Sequence, residues 1–246
     1  MGTLLLIHGF PLSARMWDAQ FELANKGWRV LAPQLRGFDG PAAADAATSV
    51  DDFAADTIDL IDALHIEEAV VGGLSMGGYI AFAMFRHAPR YFRGLVLADT
   101  RASGDTPEAV EGRKRMIQLV RDKGPAAAAE ELLPRLLGET TRATRPDIVE
   151  ALRGLILSNS AETIAGALVA LMTRPDATRL LSTIHCPTLV VVGDEDVLTP
   201  PTFSEDIKRG IAQAELAIIP GAGHMSNMEQ PAAFNHTLAQ FLEYRV

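Results

Sequence analysis

The sequence lacks three features that would each indicate a particular class of protein. It contains a single cysteine, Cys186, so an internal disulfide is excluded and a reducing compartment is favoured. No apolar run approaches the roughly 20 residues that a membrane-spanning helix needs. Acidic side chains outnumber basic ones, and the formal charge of −9 argues against nucleic acid or an anionic membrane surface as a partner.

Motifs for metals, phosphates and export are also missing. Neither His-Glu-x-x-His nor paired cysteines occur, so we predict no metal site, and the Gly-Lys-Ser/Thr that a phosphate loop of the Walker type needs is absent. The stretch from Met1 to Gly9 has no basic region and no small-residue cleavage site. It therefore predicts a strand and not a signal peptide, and we expect a cytoplasmic protein.

Among the features that are present, apolar runs alternate with segments of helical spacing. The chain has 246 residues, of which 48% are hydrophobic, so it can bury a large core. Runs such as Thr3–Ile7 and Leu95–Ala98 predict strands that are buried on both faces, and helix patterns lie between them. This alternation predicts an α/β fold with a parallel sheet. Pro41–Ala47 is an alanine-rich connector with no visible chemistry.

The alternation stops after the Asp99 strand and resumes near residue 184. Residues 101–183 show helical patterns with no convincing strand, and then Thr188–Val192 and Glu215–Ile219 predict the last strands. We therefore expect a core domain formed by residues 1–100 and 184–246, with 101–183 inserted as a helical lid. Residues 101–182 hold twelve basic and eleven acidic side chains, so most of the negative charge lies in the core.

One pentapeptide follows a predicted strand and begins a predicted helix. The strand Glu68–Val71 leads into Gly73-Leu74-Ser75-Met76-Gly77, and helical spacing continues to His87. Gly-x-Ser-x-Gly in this context is the pattern of a nucleophile elbow, a sharp turn that exposes a serine hydroxyl. The turn requires residues with almost no side chain two positions before and after the serine. The alternative is a glycine-rich turn or a phosphate cradle.

A serine nucleophile needs a base and a carboxylate that orients the base. Asp196 follows the predicted strand Thr188–Val192, and His224 follows the next one. The carboxyl ends of parallel strands meet at one edge of a sheet, so both side chains can approach Ser75. Asp99 and Asp194 also follow strands and stay open as alternatives to Asp196.

Four motifs together resemble those of a known family. They are His8-Gly9-Phe10, the pentapeptide around Ser75, Gly193-Asp194-Glu195-Asp196 and Gly221-Ala222-Gly223-His224. In this order and spacing the chain resembles serine hydrolases of the α/β-hydrolase family, in the lid-bearing branch that contains esterases and 3-oxoadipate enol-lactonases. The resemblance implies a mostly parallel sheet of about six strands, flanked by helices, with an all-helical lid after the Asp99 strand.

The resemblance also implies a role for each site residue. Ser75 would be the nucleophile, His224 the general base and then acid, and Asp196 the orienting carboxylate. The backbone N–H groups of Phe10 and Met76 would form the oxyanion hole. No cofactor or metal is implied.

The function expected is hydrolysis of a small carboxylic ester or lactone through an acyl-enzyme. Hydrolysis of 3-oxoadipate enol-lactone or of a C–C bond would use the same triad, and a ligand receptor on a hydrolase scaffold is the alternative from another class. Residues 101–182 hold ten arginines, one of which could bind a substrate carboxylate, but the acidic count favours a solvated surface. The partner expected is a small-molecule substrate, with the oligomeric state left open.

Overall fold

The computed structural model describes residues 2–40 and 49–246. The alanine-rich connector Pro41–Ala47 lies outside the described residues. Six strands form one sheet in the order β2-β1-β3-β4-β5-β6, and every neighbouring pair is parallel. The strands are β1 Thr3–Ile7, β2 Arg29–Leu31, β3 Ala69–Leu74, β4 Phe92–Ala98, β5 Thr188–Gly193 and β6 Ala214–Ile219.

The predicted parallel sheet of six strands is confirmed, and its central strands are fully buried. Every residue of β3 and of β5 is buried, as expected for strands that are covered by helices on both faces. The two edge strands limit pairing with another chain in different ways. β2 has only three residues, and β6 carries Glu215, which forms an ion pair with Arg245.

Helices connect the strands and cover both faces of the sheet. The α-helices are α1 Val50–Ala63, α2 Met76–His87, α3 Pro107–Leu136, α4 Glu139–Thr144, α5 Pro146–Leu157, α6 Ala161–Thr173, α7 Pro201–Gly210, α8 Ser226–Glu229 and α9 Pro231–Tyr244. The 3₁₀-helical segments are Ala14–Lys26, Pro89–Tyr91 and Thr178–Thr183. None of the helices in the described ranges is long and apolar enough to cross a membrane.

Local sequence signals explain where several helices begin. Ser49 accepts a hydrogen bond from the Asp52 N–H, and the Asp52 carboxylate accepts one from the Ser49 N–H, so the predicted capping box is confirmed. Thr106 caps α3 through the Ala109 N–H, and Ser160 caps α6 through the Thr163 N–H.

The chain between β4 and β5 is helical, as the sequence predicts, with two differences of detail. The sequence predicts one helix that ends at Gly124 and a second, over residues 125–137, that is interrupted at Pro134. The backbone of α3 does depart from helical angles at Gly124, but the helix continues through Pro134. Pro134 lies in the last turn, where a lost hydrogen bond disturbs little of the helix. α4 was not predicted, because its six residues are too few to show a helical period. We refer to residues 101–183 as the helical insertion; their role as a lid stays a prediction.

Candidate active site

Ser75 connects β3 to α2 with an unusual backbone conformation. Its φ of 54° and ψ of −111° lie where a residue with a side chain is strained. The Ser75 N–H donates to the carbonyl of Ala98 at 2.9 Å, and the Thr100 hydroxyl donates to the Ser75 carbonyl at 2.9 Å. Since β4 lies beside β3, these bonds hold the strained turn from the neighbouring strand.

The glycines around Ser75 are required by close backbone contacts. A Cβ on Gly73 would lie 2.1 Å from the carbonyl oxygen of Gly77, and one on Gly77 would lie 2.1 Å from that of Ile7. Neither position can therefore carry a side chain without moving a strand or the helix. The predicted steric requirement on either side of the serine is confirmed.

His224 and Asp196 form a buried pair at the same edge of the sheet. The Nδ1 atom of His224 lies 2.8 Å from Oδ2 of Asp196, and their side chains are 3% and 0% exposed. Asp196 follows β5 and His224 follows β6, and these strands are neighbours. A carboxylate on Nδ1 fixes the tautomer of the ring, so Nε2 is the nitrogen that can accept a proton.

The Asp196 carboxylate is held by the chain that follows it. The backbone N–H groups of Leu198 and Thr199 donate to Oδ1 at 2.8 and 3.0 Å, and the Thr199 hydroxyl donates to Oδ2 at 2.7 Å. Burial alone would raise the pKa of Asp196. The charge and hydrogen bond of His224, together with Thr199, outweigh burial and lower this pKa, so the carboxylate stays ionised.

The two alternative carboxylates bind other groups. Oδ1 of Asp99 accepts the N–H of Gly193 at 2.9 Å, and Oδ2 accepts the hydroxyl of Ser226. Burial, with the nearby charge of Asp196, raises the pKa of Asp99 well above its usual range. Asp194 accepts the N–H of Gly221 at 2.7 Å. Of the three carboxylates, Asp196 is the one that contacts His224.

Phe10 and Met76 lie where donors for an oxyanion would be needed. Met76 is the first residue of α2, and N–H groups in the first turn of a helix have no partner within that helix. Phe10 lines the same cavity as Ser75. The neighbouring His8 orders this loop, because its Nδ1 contacts the Gly9 carbonyl at 3.1 Å and its Nε2 accepts the Leu35 N–H at 3.2 Å. Burial lowers the pKa of His8 to about 4, so its ring is neutral.

A cavity of about 370 Å³ opens over Ser75 and His224. Its apolar wall comes mainly from the helical insertion and includes Met116, Leu132, Leu136, Leu168 and Leu171. Charged side chains of the same insertion, among them several arginines, complete the lining. A volume near the lower end of the range for ligand pockets suits a small substrate.

The junction between α3 and α4, residues 136–140, is bound to the two loops that carry Asp196 and His224. The His224 N–H donates to the carbonyl of Leu136 at 3.1 Å. The buried carboxylate of Glu229 accepts the N–H of Gly138 at 2.8 Å, and also those of Gly223 and Met225, on either side of His224, at 2.9 and 3.0 Å. The junction therefore fixes the loop after β6 that carries His224, which we call the histidine loop, to the helical insertion.

A second carboxylate joins this junction to the loop after β5 that carries Asp196. Glu195, next to Asp196, accepts both the backbone N–H and the hydroxyl of Thr140. Neither Glu229 nor Thr140 is predicted from the sequence, because a residue that binds backbone groups leaves no motif of its own. The one available signal was an acidic residue shortly after the predicted histidine.

The described part of the chain, residues 2–40 and 49–246, contains no group of three His, Cys, Asp or Glu side chains placed to hold a metal ion.

Comparison with known proteins gives matches along nearly the whole chain. A thermophilic esterase from Thermogutta terrifontis, in a malate-bound structure, is 41% identical with a TM-score of 0.95, over 99% of this chain and 90% of that one. The enol-lactonase from Burkholderia xenovorans LB400 is 26% identical with a TM-score of 0.90, over 98% and 91%. The 3-oxoadipate enol-lactonase 2 of Acinetobacter baylyi is 29% identical, over 96% of this chain and 86% of its own.

A family model described as "Alpha/beta hydrolase family" matches residues 4–237. This match covers β1 from its second residue, the other five strands, the helical insertion and the loops that carry Ser75, Asp196 and His224. The chain therefore belongs to the alpha/beta hydrolase family.

Proposed function

We propose that this protein is a serine hydrolase that cleaves a small carboxylic ester or lactone through an acyl-enzyme on Ser75. The observation that carries the proposal is the buried His224–Asp196 pair, with its 2.8 Å contact, since His224 lines the same cavity as Ser75. An imidazole with its Nδ1 on a carboxylate is a general base at Nε2. The similarity to an esterase and to enol-lactonases supports this class of reaction.

The reaction follows from the position of each group. His224 takes the proton of the Ser75 hydroxyl while Oγ attacks the carbonyl carbon of the substrate. The N–H groups of Phe10 and Met76 stabilise the oxyanion, and each such donor contributes roughly 2.7–4 kcal/mol. His224 returns the proton to the leaving alcohol, which leaves an acyl-enzyme. In the second half of the reaction, His224 takes a proton from a water molecule that attacks the acyl carbon, and it gives this proton to Ser75 Oγ as the acid product is released. Asp196 stays ionised and stabilises the imidazolium.

The helical insertion acts as a lid in this proposal. Its leucines and Met116 form the apolar wall over Ser75, and they exclude water from the acyl group. The hydrogen bond from His224 to Leu136 ties the lid to the catalytic base. The substrate is therefore a short ester or lactone that fits beneath the helices.

The proposal is tested with p-nitrophenyl acetate and a phosphonate probe. Ser75→Ala should lower kcat by about 10⁴-fold or more, and Asp196→Asn by a similar factor. The probe should label Ser75, as read by mass spectrometry of the peptides. Ser182→Ala, at an exposed serine of the insertion, is the matched control and should keep the wild-type rate. Hydrolysis at full rate by Ser75→Ala, or labelling of another side chain, would contradict the proposal.

Steady turnover separates an enzyme from a receptor on the same scaffold. A receptor would release about one p-nitrophenolate per chain and then stop, whereas an esterase continues. A panel that contains an enol-lactone, a short-chain ester and a ketone-activated C–C substrate then ranks the three reactions. We expect the ester or the lactone to give the highest kcat/KM, because the similar proteins are esterases and enol-lactonases.

A further inference from the structure

Three arginines of the helical insertion surround one carboxylate beside the cavity. Arg101, Arg113 and Arg174 contact Asp105 at 2.6, 2.5 and 2.7 Å. The Asp105 side chain is 1% exposed. Burial alone would raise the pKa of Asp105, but Arg113 and Arg174 lower it to about 2, so the carboxylate is charged. We call these four residues the arginine cluster.

The arginine cluster has an excess of positive charge. Three guanidinium groups and one carboxylate leave a net charge of +2. Asp176 feels the charge of Arg174 and reduces this excess, but Asp176 is exposed and its oxygens accept the N–H groups of Gly104 and Thr178. Partly buried positive charge is costly unless an anion balances it, so the cluster favours a negative group nearby.

Two members of the cluster face the cavity that contains Ser75. Arg101 and Arg113 both line this cavity, and their side chains are 15% and 21% exposed. The Nε atom of Arg101 is buried and has no hydrogen-bond partner among the described residues. A buried donor without an acceptor is unfavourable, so Arg101 has hydrogen-bonding capacity that its protein neighbours do not use.

The other charges of the cavity wall cancel one another. Arg115 and Arg135 are exposed, and so are Glu108 and Glu131. The charges of these two positive and two negative side chains balance. The net positive charge of the cavity wall therefore comes from Arg101 and Arg113. The positive potential is therefore strongest at the partly buried wall and not around the exposed side chains.

We propose that Arg101 and Arg113 form a carboxylate subsite, and that the substrate is an ester or lactone with a free carboxylate. This inference rests on the proposed function, since it specifies the substrate of the same site. Guanidinium groups bind carboxylates through two parallel hydrogen bonds, which fixes the direction of the ligand. The carboxylate end is held at the arginine wall, and the ester carbonyl is then directed to Ser75 beneath the apolar lid.

The test compares two esters of the same length. Mono-p-nitrophenyl glutarate carries a carboxylate, and its methyl ester is the neutral partner; both rates are corrected for hydrolysis in buffer. The wild-type enzyme should prefer the anionic ester by about 10-fold or more in kcat/KM. In Arg101→Met the ratio of kcat/KM for the anionic over the neutral ester should fall roughly 10- to 100-fold. Arg101→Lys keeps the charge but not the planar fork of the guanidinium group, so its ratio should lie between those of the wild type and Arg101→Met.

Arg121→Met is the matched control, because Arg121 lies on α3, is exposed and does not line the cavity. Its ratio of kcat/KM for the anionic over the neutral ester should equal that of the wild type. An equal loss for both esters in Arg101→Met would overturn the subsite, because it would indicate a structural role. A wild-type preference for the neutral ester would overturn it as well.

Binding of glutarate gives a readout that does not depend on turnover. Isothermal titration calorimetry should detect glutarate bound to the wild type, with about 10-fold weaker affinity in Arg101→Met and unchanged affinity in Arg121→Met. Failure to hydrolyse either ester would refute the proposed function, and the calorimetry would still decide the subsite. Turnover of the neutral ester without glutarate binding would refute the subsite alone.

Discussion

Replacing Glu229 by glutamine tests whether the histidine loop is held by a buried carboxylate. Glu229 is 1% exposed, and its two oxygens accept three backbone N–H groups, from Gly138, Gly223 and Met225. A glutamine has one acceptor oxygen, and its NH₂ group would face at least one of these donors. The substitution keeps the size of the side chain, so the loss is one of hydrogen bonding.

The magnitude follows from the number of bonds that are lost. If the amide oxygen keeps Gly223 and Met225, the N–H of Gly138 loses its acceptor. A hydrogen bond to a charged group contributes about 1.5–3 kcal/mol, so the free energy of unfolding should fall by about that amount. The junction also orients His224, and a displacement of about 1 Å at a catalytic group lowers a rate by roughly 100-fold. We expect kcat to fall about 10- to 100-fold.

Two measurements separate a positioning role from a purely structural one. Urea denaturation gives the free energy of unfolding, and kcat is normalised to active sites titrated with the phosphonate probe. Glu195→Gln is the control, because Glu195 also holds the junction, through Thr140, but is only partly buried. Glu195→Gln should lower the free energy of unfolding by less than about 1 kcal/mol. An unchanged kcat per titrated site in Glu229→Gln, even with lower stability, would refute the positioning role.

Three further predictions concern single residues. Thr199→Val removes the hydroxyl that donates to the Asp196 carboxylate at 2.7 Å. In an esterase assay kcat/KM should fall about 10-fold, with the fold unchanged as checked by circular dichroism. Because the pKa of His8 is lowered to about 4, His8 stabilises the fold above its unfolded pKa of about 6.5, and this contribution of about 3 kcal/mol is lost as the pH falls from 6.5 to 4. Urea titrations at pH 7 and 4.5 should show a smaller pH dependence in His8→Gln than in the wild type, and equal dependence would contradict the assignment. Gly73→Ala, whose Cβ would lie 2.1 Å from the Gly77 carbonyl, should destabilise the protein by about 3 kcal/mol or more, whereas Gly154→Ala, with open space around it, should be neutral or stabilising in thermal melts.

The sequence by itself determined the features that depend on local sterics and on the period of apolar residues. Gly73 is required by a contact with Gly77 inside the strand-turn-helix unit, so this part of the pentapeptide predicts its own geometry, whereas Gly77 is required by the Ile7 carbonyl of the neighbouring β1. Fully apolar runs identified the buried strands, and the capping box at Ser49 marked the start of α1 because its bonds span only three residues. The resemblance of His8-Gly9-Phe10 to a motif of the family implied a place for Phe10 near the site, and Phe10 lines the same cavity as Ser75.

Tertiary structure alone decided which of several similar side chains meet. Asp99, Asp194 and Asp196 all follow strands, and the contact of Asp196 with His224 depends on how two loops of neighbouring strands fold over the sheet edge. Glu229 was not foreseen for a related reason, since it binds backbone groups, which are the same at every residue and leave no pattern in the sequence.

The arginine cluster gives the clearest contrast between composition and structure. Counting charges in residues 101–182 predicts a nearly neutral, solvated surface. The fold instead brings Arg174 to Asp105, 69 positions earlier, and leaves Arg101 and Arg113 on the wall of the cavity. A charge count adds up the whole segment, whereas electrostatic interactions depend on distance and burial, and only the packing of the helices sets those.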